Sequence, residues 1–459
     1  MELARSILKN LQNILGKDYV KTNKEELVCY SYDATGKSYL PDAVVFPGSE
    51  KQISQVLTLA NKNLIRVTPR GSGSGMTGGS LPVQGGIVLV LNRLSNILEI
   101  NKSNFYARVE PGVITGDLHS AVEAEGLFYP PDPASSSFCT IGGNIGECAG
   151  GPRAVKYGVT RDYVLSLRAV LPSGEIIKTG VATAKGVAGY DLTRLLIGSE
   201  GTLAIISEIT VKLLTLPEKI KTLALLFSSI DDAAETVSAI IKDSVLPRCI
   251  EYMDRTSINC VKNDIGFELK DNVEALLLIE IDGESSSVED NFNKLIKFCK
   301  NRNVLKIITA DNKKEAAELW KARKALSPAL YKLAPDKINE DIVVPVDKIP
   351  DMVKKIELIK KETGLFITSF GHAGDGNIHC NIMYNKQNLN EFEKAQKAVD
   401  QLFSYTLELG GTITGEHGVG ITKMKYLPQE IGQTELKIMK EIKKVFDPQE
   451  ILNPGKIFL

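Results

Sequence analysis

The sequence predicts an α+β protein of two domains, and three observations carry that reading. At 459 residues the chain is longer than one hydrophobic core normally serves. Three glycine-rich stretches lie in the first half, each beside an apolar run with strand character. From about residue 220 the pattern changes to alternating strand-like and helix-like segments, with fewer glycines until Gly371. That alternation predicts an antiparallel sheet covered by helices.

Taken in order, Leu3, Ile7, Leu8, Leu11, Ile14 and Leu15 form one stripe of an amphipathic helix stopped by Gly16, a pattern unlike a secretory signal. Residues 43–46 read as a strand, and Ser49 then starts a helix whose buried stripe is Ile53, Val56, Leu57 and Ala60. A strand over 64–67 leads into residues 69–80, where five glycines interleave with hydroxyl side chains. Such a loop can press bare N–H groups against a pyrophosphate. It has neither the helix start of a dinucleotide fingerprint nor the Gly-Lys-Ser/Thr of a P-loop.

Strands are expected over 87–91 and 105–109, a turn at 110–112, and a helix over 115–125 carrying His119, read as a structural or surface histidine. Residues 130–136, then 141–146 and Gly150-Gly151, form a second loop-rich stretch that trades side chains for backbone access. A hairpin follows over 164–171 and 175–178. A third glycine turn at 198–202 precedes the strand-like run 203–214. In the second half, 275–281 and 353–359 exemplify the alternating segments.

A net charge of −1 with no block of like charge offers nothing to nucleic acid or an anionic membrane. Seven scattered cysteines, never spaced C-x-x-C, argue against a disulfide framework, a zinc ribbon or an iron–sulfur cluster and suit a reducing cytoplasm. No apolar run approaches membrane-spanning length.

Three of the four histidines fall in two glycine-rich stretches, 369–381 and 415–418. Histidine and glutamate with open geometry bind divalent transition metals, which makes His372, His379 and Glu416 the expected ligands. With 378–384 as a strand, His379 and Asn381 project from one face. His417, beside the metal carboxylate, is suited to act as base on a metal-bound hydroxyl. Any one of these histidines alone could equally be a satisfied core residue.

The first half resembles the FAD-binding domain of the vanillyl-alcohol oxidase and p-cresol methylhydroxylase (PCMH) superfamily, and the likeness runs over nearly the whole chain. It implies a PCMH-type FAD-binding domain of two α+β subdomains over 1–219, a substrate- and metal-binding cap over 220–430, and a segment, 431–459, returning to the FAD domain. It assigns the cofactor to Pro69, Arg70, Gly71, Ser72, Gly73, Ser74, Gly75, Met76, Thr77, Gly78 and Gly79, to Pro131, Asp132, Ala134 and Ser135, to Gly142, Gly143, Asn144 and Gly146, and to Glu200, Gly201, Ile205 and Asn453. Many relatives attach FAD through a histidine that Ser74 replaces here, so the flavin is expected to be non-covalent.

The second half resembles the metal-dependent FAD dehydrogenases of D-2-hydroxy acids: the glycolate oxidase catalytic subunit, D-lactate dehydrogenases and D-2-hydroxyglutarate dehydrogenase. The likeness implies that His372, His379 and Glu416 hold Zn, Mn or Fe, that His417 removes the hydroxyl proton, that Asn381 contacts substrate and that Arg323 clamps its carboxylate. Some relatives add a hydroxyl, here Ser327, and a lysine whose place falls at Asn339 with Lys337 nearby. Loss of that lysine would favour D-lactate or glycolate over 2-hydroxyglutarate. Electrons would pass to an iron–sulfur subunit, an electron-transferring flavoprotein or a quinone, from a cytoplasmic protein that meets the membrane only through a partner; a homodimer is left open. Two rivals stand beside this reading: a metal-dependent hydrolase, and a non-redox flavoprotein of the alkyl-ether lipid synthase type.

Overall fold

The N-terminal stripe folds as the helix Arg5–Leu15, burying Leu11 and Leu15 and stopping at Gly16, whose φ is 93°. The computed structural model describes residues 3–242 and 245–458 and divides into two units. Met1–Ala149, Val159–Leu216 and Glu416–Leu459 make the first; Gly150–Gly158 and Pro217–Gly415 make the second. The second unit thus includes a short segment from the first half, and the chain rejoins the first unit at Glu416.

The first unit holds a four-stranded sheet of β1 (Val20–Lys21), β2 (Ala43–Val45), β3 (Val67–Arg70) and β4 (Ile87–Val90), in the order β1-β2-β4-β3. β4 runs parallel to both β2 and β3. The helix Glu50–Lys62 connects β2 to β3, and Ser49 caps it by accepting the Gln52 N–H at 3.2 Å. Ile53 and Leu57 are fully buried against Val45, Val67 and Ile87, each contributing about 2 kcal/mol. β3 starts at Val67, three residues later than the apolar run suggests, because Leu64 takes a left-handed φ of 53° and stays exposed.

A second, antiparallel sheet contains β5 (Ile97–Asn101), β6 (Tyr106–Val109), β8 (Val164–Val170), β9 (Ile176–Gly180) and β10 (Ile205–Lys212), ordered β5-β6-β10-β8-β9. The short β7 (Leu127–Phe128) and β11 (Leu214–Thr215) pair separately. Residues 141–146, expected as loop, fold as the helix Ile141–Glu147, with Thr140 Oγ1 capping Gly143 N–H at 3.2 Å and Gly142 N–H held by Pro111 O at 2.8 Å. The C-terminal tail threads beside β3: Val67 N–H donates to Ile451 O and Asn453 N–H to Val67 O, both at 2.8 Å.

The second unit is built on seven antiparallel strands: β12 (Lys219–Phe227), β13 (Cys249–Asp254), β14 (Ala275–Gly283), β15 (Val304–Ala310), β16 (Asp336–Val343), β17 (Phe366–His372) and β18 (Asn377–Tyr384). Their order is β15-β12-β14-β13-β17-β18-β16. On one face Met253, Leu278, Phe370 and Met383 pack with Ala322 and Leu326 of the helix Lys313–Ala329. Tyr252, Ser369 and Cys380, one residue out of phase, are also buried, so both faces are covered. The segment Gly150–Gly158 is fastened here by Asp282: its carboxylate accepts Tyr157 Oη at 2.8 Å and pairs with Lys156 and Arg248, each at 2.5 Å. Among the described residues no helix is long and apolar enough to cross a membrane.

Candidate functional site

β3 delivers the chain into the glycine stretch. Among the described residues, no protein acceptor takes the backbone N–H groups of residues 72–75, although Gly73, Ser74 and Gly75 are partly buried. Main-chain donors in that state need a ligand or water, and a row of them suits pyrophosphate oxygens. Buried Arg70 steadies the loop, its Nη1 donating to Ser80 Oγ at 3.3 Å. Gly78 has φ +89°, and a Cβ there would lie 2.6 Å from Ile421 Cγ1, so a larger residue would displace that side chain.

The other expected flavin contacts converge on the same unit. Pro131, Asp132, Ala134 and Ser135 form an irregular loop closed by Phe138 and Cys139 N–H groups on Ser135 O, and His119 Nε2 lies 2.9 Å from Pro131 O. Gly142, Gly143, Asn144 and Gly146 lie on the helix Ile141–Glu147, where Asn144 Nδ2 donates to Thr115 Oγ1 at 2.8 Å. The third glycine turn docks on this helix, with Gly198 N–H on Ile145 O at 2.9 Å and Glu200 N–H on Gly146 O at 2.8 Å. Asn453 Nδ2 joins the turn to the cradle, donating to Glu200 O at 2.7 Å and Gly79 O at 2.8 Å. Ile205 starts β10, with its side chain in the hydrophobic core of the first unit.

In the second unit, strand register gathers the chemical side chains. Glu251 pairs with His372 across β13 and β17, Phe370 with His379 across β17 and β18, and Asp341 with His379 across β16 and β18. His372 Nδ1 lies 2.6 Å from Glu251 Oε1, which turns its Nε2 toward His379 Nε2 at 3.5 Å. Glu251 is completely buried and also accepts Arg323 Nε at 2.6 Å. Burial alone would raise its carboxyl pKa, but His372 and Arg323 outweigh that and hold it below the ordinary value. Arg323 makes that bond through Nε, and its guanidinium lies over the Phe370 ring at 4.9 Å. Asn381 is fully buried, and its Oδ1 accepts no hydrogen bond among the described residues.

His372 and His379, two of the three expected ligands, belong to the second unit, and Glu416, the third, heads the C-terminal stretch of the first. The residue before it, Gly415, is held within the second unit: its N–H donates to Asp341 O at 2.9 Å and Asp341 Oδ2 at 3.0 Å. Two imidazole nitrogens bound to one tetrahedral ion at about 2.05 Å would stand about 3.3 Å apart, so the histidine pair fits a metal. His417 follows, with Nε2 4.0 Å from Glu416 Oε1 and its main-chain oxygen held by Thr77 Oγ1 at 2.8 Å.

Sequence reasoning missed Glu251, which orients His372 from 121 residues away, and Asp341, which fixes Gly415. A composition signal could have found neither. The lysine register is also clarified: Lys337 Nζ donates to Ser327 Oγ at 2.9 Å, one turn beyond Arg323, while Asn339 sits opposite Asn381.

The fold is of the PCMH type. A solved p-cresol methylhydroxylase with substrate bound superposes with TM-score 0.79 at 18% identity, covering 98% of this chain and 96% of that one. An alkyldihydroxyacetonephosphate synthase shares the fold at TM-score 0.78 and 18% identity, covering 99% of this chain and 86% of that one. Residues 41–180 match the family described as FAD binding domain, and 216–457 that described as FAD linked oxidases, C-terminal domain. The chain belongs to the FAD-linked oxidase family and is an FAD-dependent oxidoreductase. It is 44% identical to the glycolate oxidase subunit GlcD of Bacillus subtilis (strain 168), over 99% of this chain and 97% of that one. It is 37% identical to D-lactate dehydrogenase of Anaerostipes hadrus, over 91% of this chain and 89% of that one.

Proposed function

We propose that this enzyme oxidises a small D-2-hydroxy acid, D-lactate or glycolate foremost, to the 2-oxo acid and passes the electrons to a partner protein or quinone. The observation that carries the reading is the pair His372 and His379, Nε2 to Nε2 at 3.5 Å, on the sheet face that also holds Arg323 and Asn381. FAD, when bound, supplies the acceptor for the substrate's α-hydrogen and its electron pair. A divalent Zn, Mn or Fe ion held by His372, His379 and Glu416 would supply a Lewis acid that lowers the pKa of the substrate hydroxyl. Arg323 grips the carboxylate with its terminal nitrogens while Nε stays on Glu251. Asn381 Oδ1 offers a buried acceptor that orients the substrate, and an imidazole nitrogen of His417 takes the hydroxyl proton.

The Lys337–Ser327 pair favours a second reading, D-2-hydroxyglutarate. Burial lowers the Lys337 pKa, and the hydroxyl of Ser327 and the ring of Tyr331 at 5.2 Å give it no counter-charge. A second carboxylate would provide one. The name of the Bacillus relative, a subunit, supports electron transfer to a partner chain. Anaerobic titration with D-lactate, glycolate and D-2-hydroxyglutarate tests the proposal: flavin absorbance should bleach with one of the three, and no bleaching by any would defeat it. Acid precipitation should leave all the yellow colour in solution, since Ser74 cannot replace a histidine linkage.

A further inference from the structure

The loop carrying His417 is fastened to the flavin cradle at two places, all within the first unit. Thr77 grips it from both ends: its Oγ1 donates to His417 O and its main-chain oxygen accepts Ile421 N–H, each at 2.8 Å. Glu200 holds the middle, Oε1 accepting Val419 N–H and Oε2 accepting Gly420 N–H, each at 2.7 Å. The approach is too close for a side chain on the loop. Gly420 has φ +50°, and a Cβ there would fall 2.2 Å from Thr77 O. Glu200 is itself immobilised by Gly146 O and Asn453, and both it and Thr77 are buried.

Four hydrogen bonds from two side chains and one carbonyl therefore define the main-chain path from His417 to Ile421. This exceeds what a connecting loop needs. A base displaced by about 1 Å can lose on the order of a hundredfold in rate. We propose that Thr77 and Glu200 are positioning residues that hold the His417 main chain in register with the flavin cradle and thereby set where its imidazole meets the substrate hydroxyl. This rests on the assignment of His417 as the base.

The test uses FAD-loaded T77V, E200Q, T77S and H417A beside the unaltered protein. Flavin content comes from absorbance, and the limiting rate and substrate Kd from single-turnover flavin reduction. With rates expressed per bound flavin, T77V and E200Q should lower the limiting rate about 10- to 100-fold with substrate Kd within about twofold, and T77S should recover most of the rate because it restores the hydroxyl. In flavin-depleted protein, amide hydrogen exchange at Val419 and Gly420 should accelerate in E200Q, a readout independent of turnover. Should E200Q lose its flavin, T77V carries the test, since valine preserves the shape of threonine. A slow H417A with normal T77V and E200Q overturns the positioning roles alone. A normal H417A overturns the base assignment and the positioning roles together.

Discussion

Between residues 69 and 80 the groups offered to a ligand are main-chain N–H donors, and side chains serve mainly to shape the loop. Between β13 and β18 the reverse holds: the groups offered are imidazoles, a guanidinium and an amide, and the main chain serves only to set their register. Under the proposed function the difference follows from the ligands. A pyrophosphate rewards many weak, closely spaced donors, which glycine exposes. A divalent ion and a small acid need few groups at fixed directions, which paired strands supply and second-layer carboxylates lock. The two places should therefore fail differently.

The largest effect is expected from H379A. Losing one of the proposed metal ligands should cost several kcal/mol of stabilisation, on the order of a thousandfold in turnover, while the flavin spectrum and stoichiometry stay as they are. Flavin loss in parallel would show that the two places are not separable. E251Q should be milder: the His372 orientation weakens, and metal content or activity drops about 10- to 100-fold, measured by metal analysis after dialysis. Retained metal and rate would remove Glu251 from the site's support.

G78A probes the other side of the comparison. A Cβ at φ +89° meeting Ile421 should cost roughly 1–3 kcal/mol in the cradle, seen as weaker FAD binding in a fluorescence titration. Metal content should not change, and unaltered FAD affinity would contradict the cradle geometry.

The smallest effect concerns Lys456, whose Nζ donates to Leu81 O at 2.6 Å and Asn453 Oδ1 at 3.3 Å. Burial lowers its pKa from 10.5 to about 8. The folded chain thus releases this proton first, and between those two values the unfolded chain binds more protons, so the lysine's contribution to stability rises with pH across that window. The thermal midpoint of the unaltered protein should gain a few degrees on that of K456M between about pH 7 and pH 10. A gap that stays constant would contradict the burial argument.

Local signals made much of this legible. The stripe from Leu3 to Leu15, the cap at Ser49 and the glycine cradle are written within short windows, where residue type and periodicity determine backbone behaviour. The helix Ile141–Glu147 was hidden because its three glycines argue for loop; Thr140 and Pro111 impose the helix instead. In the second unit the histidines stood out by clustering, whereas Glu251 and Asp341 became visible only through strand pairing. Such pairs carry no short-range signature, because register across a sheet is decided by the fold as a whole.

The short segment Gly150–Gly158 has a practical consequence for anyone dissecting the molecule. Asp282 expects Lys156 and Tyr157 from it, so a gene fragment encoding 217–415 alone would leave that buried carboxylate with Arg248 as its remaining partner. Swapping the second unit between relatives should therefore carry these nine residues along, as an insert, or the graft will lack one of its own fastenings.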